Sequence, residues 1–239
     1  MTARYSGKIA LVAGGTGGLG RAVVLALLEE GATVVVTYIV QDEFDGLLQA
    51  AGANRPRIAG ERADVTDEAE VRRLIDGALA RHHRLDALVN TVGGYAGGSK
   101  LWEFDASVLD RMLALNLRSG HALSRVVVPA MLKQGHGAIV NVAARAGFDH
   151  PAGAAAYAAS KAAALALMGS LAAEVRGTGV RVNSIVPSII DTPPNRQAMP
   201  KADFAKWPKP EDIARVVLFL CSDDAAVVHG AAIPVYGNR

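Results

Sequence analysis

Tyr157 and Lys161 stand four residues apart in Ala154-Ala155-Ala156-Tyr157-Ala158-Ala159-Ser160-Lys161-Ala162-Ala163-Ala164-Leu165. On a helix that spacing puts both side chains on one face, within reach of each other. A phenol titrating at about 10 is a poor acid-base group at neutral pH. An adjacent ammonium favours the phenolate and brings the titration down, so the pair predicts a group able to give or take a substrate proton. The spacing alone also suits an alanine-rich packing helix; a second constellation decides the matter. Ala13-Gly14-Gly15-Thr16-Gly17-Gly18-Leu19-Gly20-Arg21 follows a β-branched run and precedes a helical one. It satisfies Gly-x-Gly-x-x-Gly at Gly15, Gly17 and Gly20, and Gly-x-x-x-Gly-x-Gly at Gly14, Gly18 and Gly20. Missing side chains let the backbone approach a pyrophosphate, and the free N–H groups of a new helix face its charge. A dinucleotide and a proton donor together predict hydride chemistry.

About 18 residues past Gly20, an acid would bond the adenosine ribose of NADH and repel the 2′-phosphate of NADPH. That neighbourhood reads Val36-Thr37-Tyr38-Ile39, with neither an acid nor an arginine clamp. The expectation is NADP(H) slightly favoured over NAD(H).

Short buried-type runs alternate with helical ones, the pattern of βαβ units around a mostly parallel sheet. The periodicity predicts strands over 8–13, 33–37, 57–63, 85–90, 138–142 and 181–186, buried on both faces, with a seventh over 232–235. It predicts helices over 21–30, 67–81, 107–133, 151–176 and 210–222, the second capped by Thr66 or Asp67. This is a single α/β domain over 1–239, doubly wound, with helices on both faces of a seven-stranded sheet. Six of the ten prolines fall between Pro187 and Pro210. The irregular stretch 187–210 is expected to be a substrate lid.

The 239 residues are 51% hydrophobic and carry 25 basic against 23 acidic side chains without a basic block. Such a balance gives no electrostatic footprint for nucleic acid. The longest uncharged apolar run, 162–173, is too short to span a bilayer, and the start has no apolar secretory region. A cytoplasmic protein is expected, acting on a small molecule, with neither nucleic acid nor membrane as partner. Cys221 sits in an apolar run and reads as a buried hydrophobe. The six histidines lack metal-site spacing, so no metal is expected.

Taken together, these motifs resemble the short-chain dehydrogenase/reductases across nearly the whole chain. The Gly14–Gly20 loop, Asp64-Val65, Leu88-Val89-Asn90-Thr91-Val92-Gly93-Gly94, Asn116, Tyr157-x-x-x-Lys161 and Arg181-Val182-Asn183-Ser184-Ile185-Val186-Pro187-Ser188 carry the resemblance, in that order. It implies a Rossmann fold with Tyr157, Lys161 and Asn116 as catalytic residues. Tyr157 would protonate the substrate, Lys161 would bond the nicotinamide ribose, and Asn116 would help hold a water linking Lys161 to solvent. Cofactor binding would fall to Gly14, Thr16, Gly17, Gly18, Leu19, Gly20 and Tyr38, with Asp64 and Val65 flanking the adenine and Asn90 supporting the pocket. Pro187, Ile190 and Thr192 join Tyr157 and Lys161 on the nicotinamide side. The long helices 107–133 and 151–176 imply a homotetramer or homodimer.

One family position departs. The usual serine, thirteen residues before the tyrosine, is Ala144. Loss of one oxyanion donor costs on the order of 100 to 1,000-fold in rate. A narrower resemblance, to quinonoid dihydropteridine reductases, rests on Asn90–Gly98 and Asp191–Trp207. Those reductases also lack the serine, and a quinonoid ring taking up hydride develops less localised charge. The segment 210–214 and the ending 230–237 resemble ordinary bacterial members instead. Three functions follow: an NAD(P)H-dependent reductase of an activated planar acceptor; a carbonyl or 3-oxoacyl reductase or alcohol dehydrogenase, with water, Thr91 or a substrate group replacing the serine; and a dinucleotide-binding protein with weak catalysis. Tyr95 and Trp207 are candidates to stack a flat ring, and Arg145 and His150 to touch substrate.

Overall fold

Runs of Val, Ile, Leu and Ala too continuous to alternate are what a parallel strand covered on both faces requires. The computed structural model describes residues 3–237, leaving residues 1–2 and 238–239 of the expected domain outside the described residues. Seven strands form one sheet: β1 (Ile9–Ala13), β2 (Thr33–Tyr38), β3 (Ile58–Arg62), β4 (Ala87–Asn90), β5 (Gly137–Val142), β6 (Val180–Pro187) and β7 (Ala232–Val235). Their order is β3-β2-β1-β4-β5-β6-β7 and every pairing is parallel. β1 is wholly buried.

The helices are α1 (Gly18–Glu29), α2 (Gln41–Ala51), α3 (Glu68–His82), α4 (Ala106–Leu113), α5 (Ser119–Gln134), α6 (Ala146–Asp149), α7 (Ala155–Glu174), α8 (Pro193–Ala198) and α9 (Pro210–Cys221). Strand alternation divides the core between two layers. Ala10, Val12, Val34 and Val36 pack on Val23, Val24 and Leu27 of α1, Phe44 and Leu47 of α2, and Ile213 and Val217 of α9. Leu11 and Val35 point the other way, onto Val71 and Ile75 of α3, Leu123 and Val127 of α5, and Met168 of α7. Each fully buried Val, Leu or Ile among them contributes about 1.5–3 kcal/mol by leaving water. Cys221 is buried as expected, its thiol pushed up to about 12 by desolvation.

Three expectations are corrected, and one helix was not anticipated. β3 is an edge strand, half-buried or exposed rather than covered on both faces, while β7 forms the other edge over the expected residues. α2 was missing from the sequence reading. The helix expected over 107–133 is interrupted by a π-helical turn, Ala114–Arg118, between α4 and α5. The stretch 187–210 is partly regular, holding α8 and a 3-10 turn at Phe204–Lys206. Pro193 and Pro194 open α8, where proline's missing N–H costs nothing. Asp67, not Thr66, caps α3, accepting from the N–H groups of Ala69 and Glu70. α7 is long and apolar enough to cross a bilayer, yet it packs on α4 and β6.

Candidate active site

Because β1 connects toward β2 on one side and β4 lies on its other side, a crevice opens beyond the carboxyl ends of β1 and β4. Ligands of open parallel sheets bind at such a switch point. Gly14 follows β1, Tyr38 ends β2, Asn90 ends β4, Ala144 follows β5 and Pro187 ends β6, so the sequence candidates converge there.

The glycine loop is held from both flanks. Gly14 has φ +72° and donates its N–H to Thr37 Oγ1 at 2.9 Å. Thr91 Oγ1 donates to the carbonyls of Ala13 at 2.7 Å and Gly14 at 3.1 Å. That hydroxyl is tied to the loop, which removes Thr91 as the substitute for the absent serine. A Cβ on Gly20 would collide with the Gly14 carbonyl, so the first turn of α1 lies tight against the loop. α1 has no capping side chain and no acid in its first turn, leaving the N–H groups of Gly18, Leu19 and Gly20 available to an anion. Thr192 sits over them: a Cβ on Gly18 would come 2.7 Å from Thr192 Cγ2. This cradle of bare backbone fits the pyrophosphate of a dinucleotide. Ile190 packs half-buried on the α1 layer, next to Thr192.

At the adenosine end the structure adds a residue that the sequence reading missed. Thr16 Oγ1 donates to Glu43 Oε2 at 2.9 Å, bringing a carboxylate from α2 to the glycine loop. Tyr38 stacks on Phe44 with centroids 4.4 Å apart and donates to Gln41 Oε1 at 2.9 Å. Asp64 Oδ1 accepts from the N–H and hydroxyl of Thr66, and Val65 is buried in the α3 layer.

At the other end, α7 carries the Tyr157–Lys161 pair. Lys161 is 5% exposed, and its Nζ donates to the Val142 carbonyl at 2.9 Å. Desolvation lowers its titration to about 8. Tyr157 is half-buried and is pushed up to about 12, by burial first and then by Tyr95. This corrects the expectation of a lowered titration: burial and the neighbouring Tyr95 both raise it, which holds the phenol neutral.

Asn116 lies in the π turn, accepting from Gly94 N–H and donating to Gly94 O and Ser160 Oγ, each at 3.0 Å. A Cβ on Gly93 would fall 2.7 Å from Asn116 Oδ1 and 3.1 Å from Lys161 Nζ, so the β4 loop runs between the two. Asn90 Nδ2 donates to Asn141 Oδ1 at 3.0 Å, linking β4 to β5 behind them. Ala144 is 6% exposed and brings no hydroxyl.

Tyr95 projects from the same loop, 69% exposed, its ring edge-on to Tyr157 with centroids 5.0 Å apart. Trp207 packs instead on Phe204, lining with Arg196, Lys206 and Lys209 a cavity of about 880 Å³ that none of Tyr157, Lys161 and the glycine loop lines. Arg145 pairs with Asp149 and lies 5.0 Å over the Tyr236 ring, and His150 is exposed at the end of α6. Among the described residues, no three His, Cys, Asp or Glu side chains converge as metal ligands.

The arrangement offers an anion cradle, a neutral phenol and a buried amine along one crevice. Comparison with known proteins agrees with that chemistry. The short chain dehydrogenase family model matches residues 8–203. The 3-oxoacyl-[acyl-carrier-protein] reductase of Thermotoga maritima is 31% identical over 243 residues, covering 98% of each chain. D-threitol dehydrogenase of Mycolicibacterium smegmatis is 34% identical over 244 residues, covering 98% of this chain and 94% of its own. The crystal structure of levodione reductase matches with a TM-score of 0.92 at 29% identity, covering 98% of each chain.

Proposed function

Given that the chain belongs to the short-chain dehydrogenase/reductase family and is an oxidoreductase of that type, we propose that it reduces a conjugated carbonyl or quinonoid acceptor, with Tyr157 giving the proton. The observation that carries this reading is the half-buried Tyr157 phenol, held neutral by burial, while the segment after β5 offers Ala144 and no second hydroxyl. A conjugated acceptor spreads the charge that develops on oxygen, so it asks less of the donors around it.

The dinucleotide would be held by Gly14, Thr16, Gly17, Gly18, Leu19 and Gly20 at the pyrophosphate, by Tyr38, Asp64 and Val65 at the adenosine, and by Pro187, Ile190 and Thr192 at the nicotinamide. Asn90 supports that pocket through Asn141. When bound, reduced nicotinamide supplies the hydride. Lys161 would hold the ribose, and its charge would ease loss of the Tyr157 proton; Asn116 fixes the β4 loop that runs beside Lys161. Absence of an acid at Tyr38 leaves NADPH open, but Glu43 at Thr16 sets a negative charge beside the loop, and this favours NADH. Residues 187–210 act as the lid, since Thr192 already lies over the α1 terminus. The nearly uncharged α7 suits self-association as a dimer or tetramer.

Initial rates of NADH and NADPH consumption test this reading. Quinonoid dihydropterin and 9,10-phenanthrenequinone serve as activated acceptors, and an acetoacetyl thioester as the ordinary ketone. Rates that collapse in Tyr157→Phe support the proposal; no rate above that variant with any acceptor refutes it. The second reading, an ordinary ketone reductase or alcohol dehydrogenase, is favoured by relatives named for 3-oxoacyl and D-threitol substrates. It prevails if only the thioester is reduced.

A further inference from the structure

A conjugated acceptor lowers the need for a second oxyanion donor without removing it, and neither Ala144 nor the tied Thr91 hydroxyl meets that need. The segment Gly93-Gly94-Tyr95-Ala96-Gly97-Gly98 brings another phenol beside Tyr157. Its base is fixed by the two hydrogen bonds between Gly94 and Asn116. Its far end is fixed by Gly98 N–H, which donates at 2.9 Å to the carbonyl of Gly153, just ahead of α7. Between these anchors the Tyr95 ring stands edge-on to Tyr157. A side chain on Gly97 would overlap the Tyr95 hydroxyl, so the glycine makes room for the phenol. Tyr95 is 69% exposed and Tyr157 half-buried, which leaves two phenols side by side at one crevice.

We propose that Tyr95 is a further catalytic residue, its hydroxyl donating the second hydrogen bond to the substrate oxygen in place of the absent serine. The proposal rests on Tyr157 as proton donor. As hydride reaches the acceptor carbon, the C=O π pair moves onto oxygen, Tyr157 transfers its proton there, and the nicotinamide is left oxidised. Tyr95 keeps its own proton and stabilises the charge meanwhile.

Four proteins decide it: wild type, Tyr95→Phe, Gly97→Ala and the double variant Tyr95→Phe/Ala144→Ser. Expected is a kcat lowered about tenfold with phenanthrenequinone and about a hundredfold with the acetoacetyl thioester in Tyr95→Phe. KM and the NADH dissociation constant, from fluorescence titration, should hold. Gly97→Ala, which displaces the phenol without removing it, should behave alike, and the double variant should recover most of the loss. Wild-type kcat in Tyr95→Phe, or a loss in KM alone, overturns the proposal. If wild type reduces neither probe, the functional reading fails, and binding of 4-nitrophenolate with NAD+ present decides the role of Tyr95. Affinity about tenfold weaker in Tyr95→Phe supports it, and equal affinity ends it.

Discussion

Lys161→Met should inactivate the protein and make it more stable. Burial moves the lysine from 10.5 to about 8, and each pKa unit is worth about 1.4 kcal/mol, so keeping the ammonium folded below pH 8 costs about 3 kcal/mol. Methionine fills similar space without charge, but it deprives the Val142 carbonyl of its donor, a loss of about 1 kcal/mol. The net gain of about 2 kcal/mol corresponds to roughly 4–8 °C in Tm for a chain of this size. The dependence on pH has a definite sign. Between pH 8 and 10.5 the unfolded lysine holds its proton while the folded one has released it, so wild-type stability rises with pH across that window. The penalty is complete below pH 8, and the advantage of the variant is therefore full at pH 7 and nearly gone by pH 10. Thermal and urea unfolding of the cofactor-free protein at both pH values gives the answer. A variant melting at or below wild type at pH 7, or a gain unchanged at pH 10, would refute the reasoning.

The same titration predicts that kcat for reduction falls as pH rises past about 8, because the amine loses the charge that eases proton release from Tyr157; a pH–rate profile that stays flat to pH 10 contradicts this. Glu43→Gln removes the carboxylate at Thr16 and should shift the NADPH/NADH ratio of kcat/KM toward NADPH about tenfold, while an unchanged ratio places Glu43 outside cofactor choice. Gly20→Ala forces the loop away from α1 and should weaken NADH binding more than tenfold by fluorescence titration with the fold retained by circular dichroism. Thr91→Val loses the bonds to Ala13 and Gly14 and should lower stability by about 1 kcal/mol in urea unfolding, since the freed carbonyls stay in place.

The central strands were legible because burial on both faces writes a continuous apolar run, as in Ile9–Ala13 and Gly137–Val142. Edges were not: Gly60, Glu61 and Arg62 reach solvent, so the run predicted over 57–63 is shorter and wetter than a core strand. α2 had a readable signal, Phe44, Leu47 and Ala51 at helical spacing, all buried against α1 and β2, and Glu43 went unseen with it. The glycine loop and the Tyr157–Lys161 pair were visible as local spacing on one element. Tyr95 against Tyr157, and Thr192 over Gly18, join residues 62 and 174 positions apart, and no local pattern encodes such meetings. The sense of the Tyr157 shift was missed for a related reason: spacing reports the neighbouring ammonium, while burial belongs to the assembled crevice.

The π-helical turn at Ala114–Arg118 bears on how this chain tolerates insertions and deletions. An α-helix advances about 100° per residue, so the turn sets a rotational offset between α4, which packs on α7, and α5, which packs on α3. Asn116 is buried against Gly94 and Ser160 within that offset, and Leu123 and Val127 face the core beyond it. Deleting one residue between Leu113 and Ser119 would restore α-helical winding and swing one helix about 100° relative to the other. Either Asn116 leaves Ser160 or the Leu123–Val127 face leaves α3. Substitutions in this stretch change one contact at a time, whereas a one-codon deletion rewrites the register of an entire helix, so the length of the segment is under tighter constraint than the identity of most of its residues.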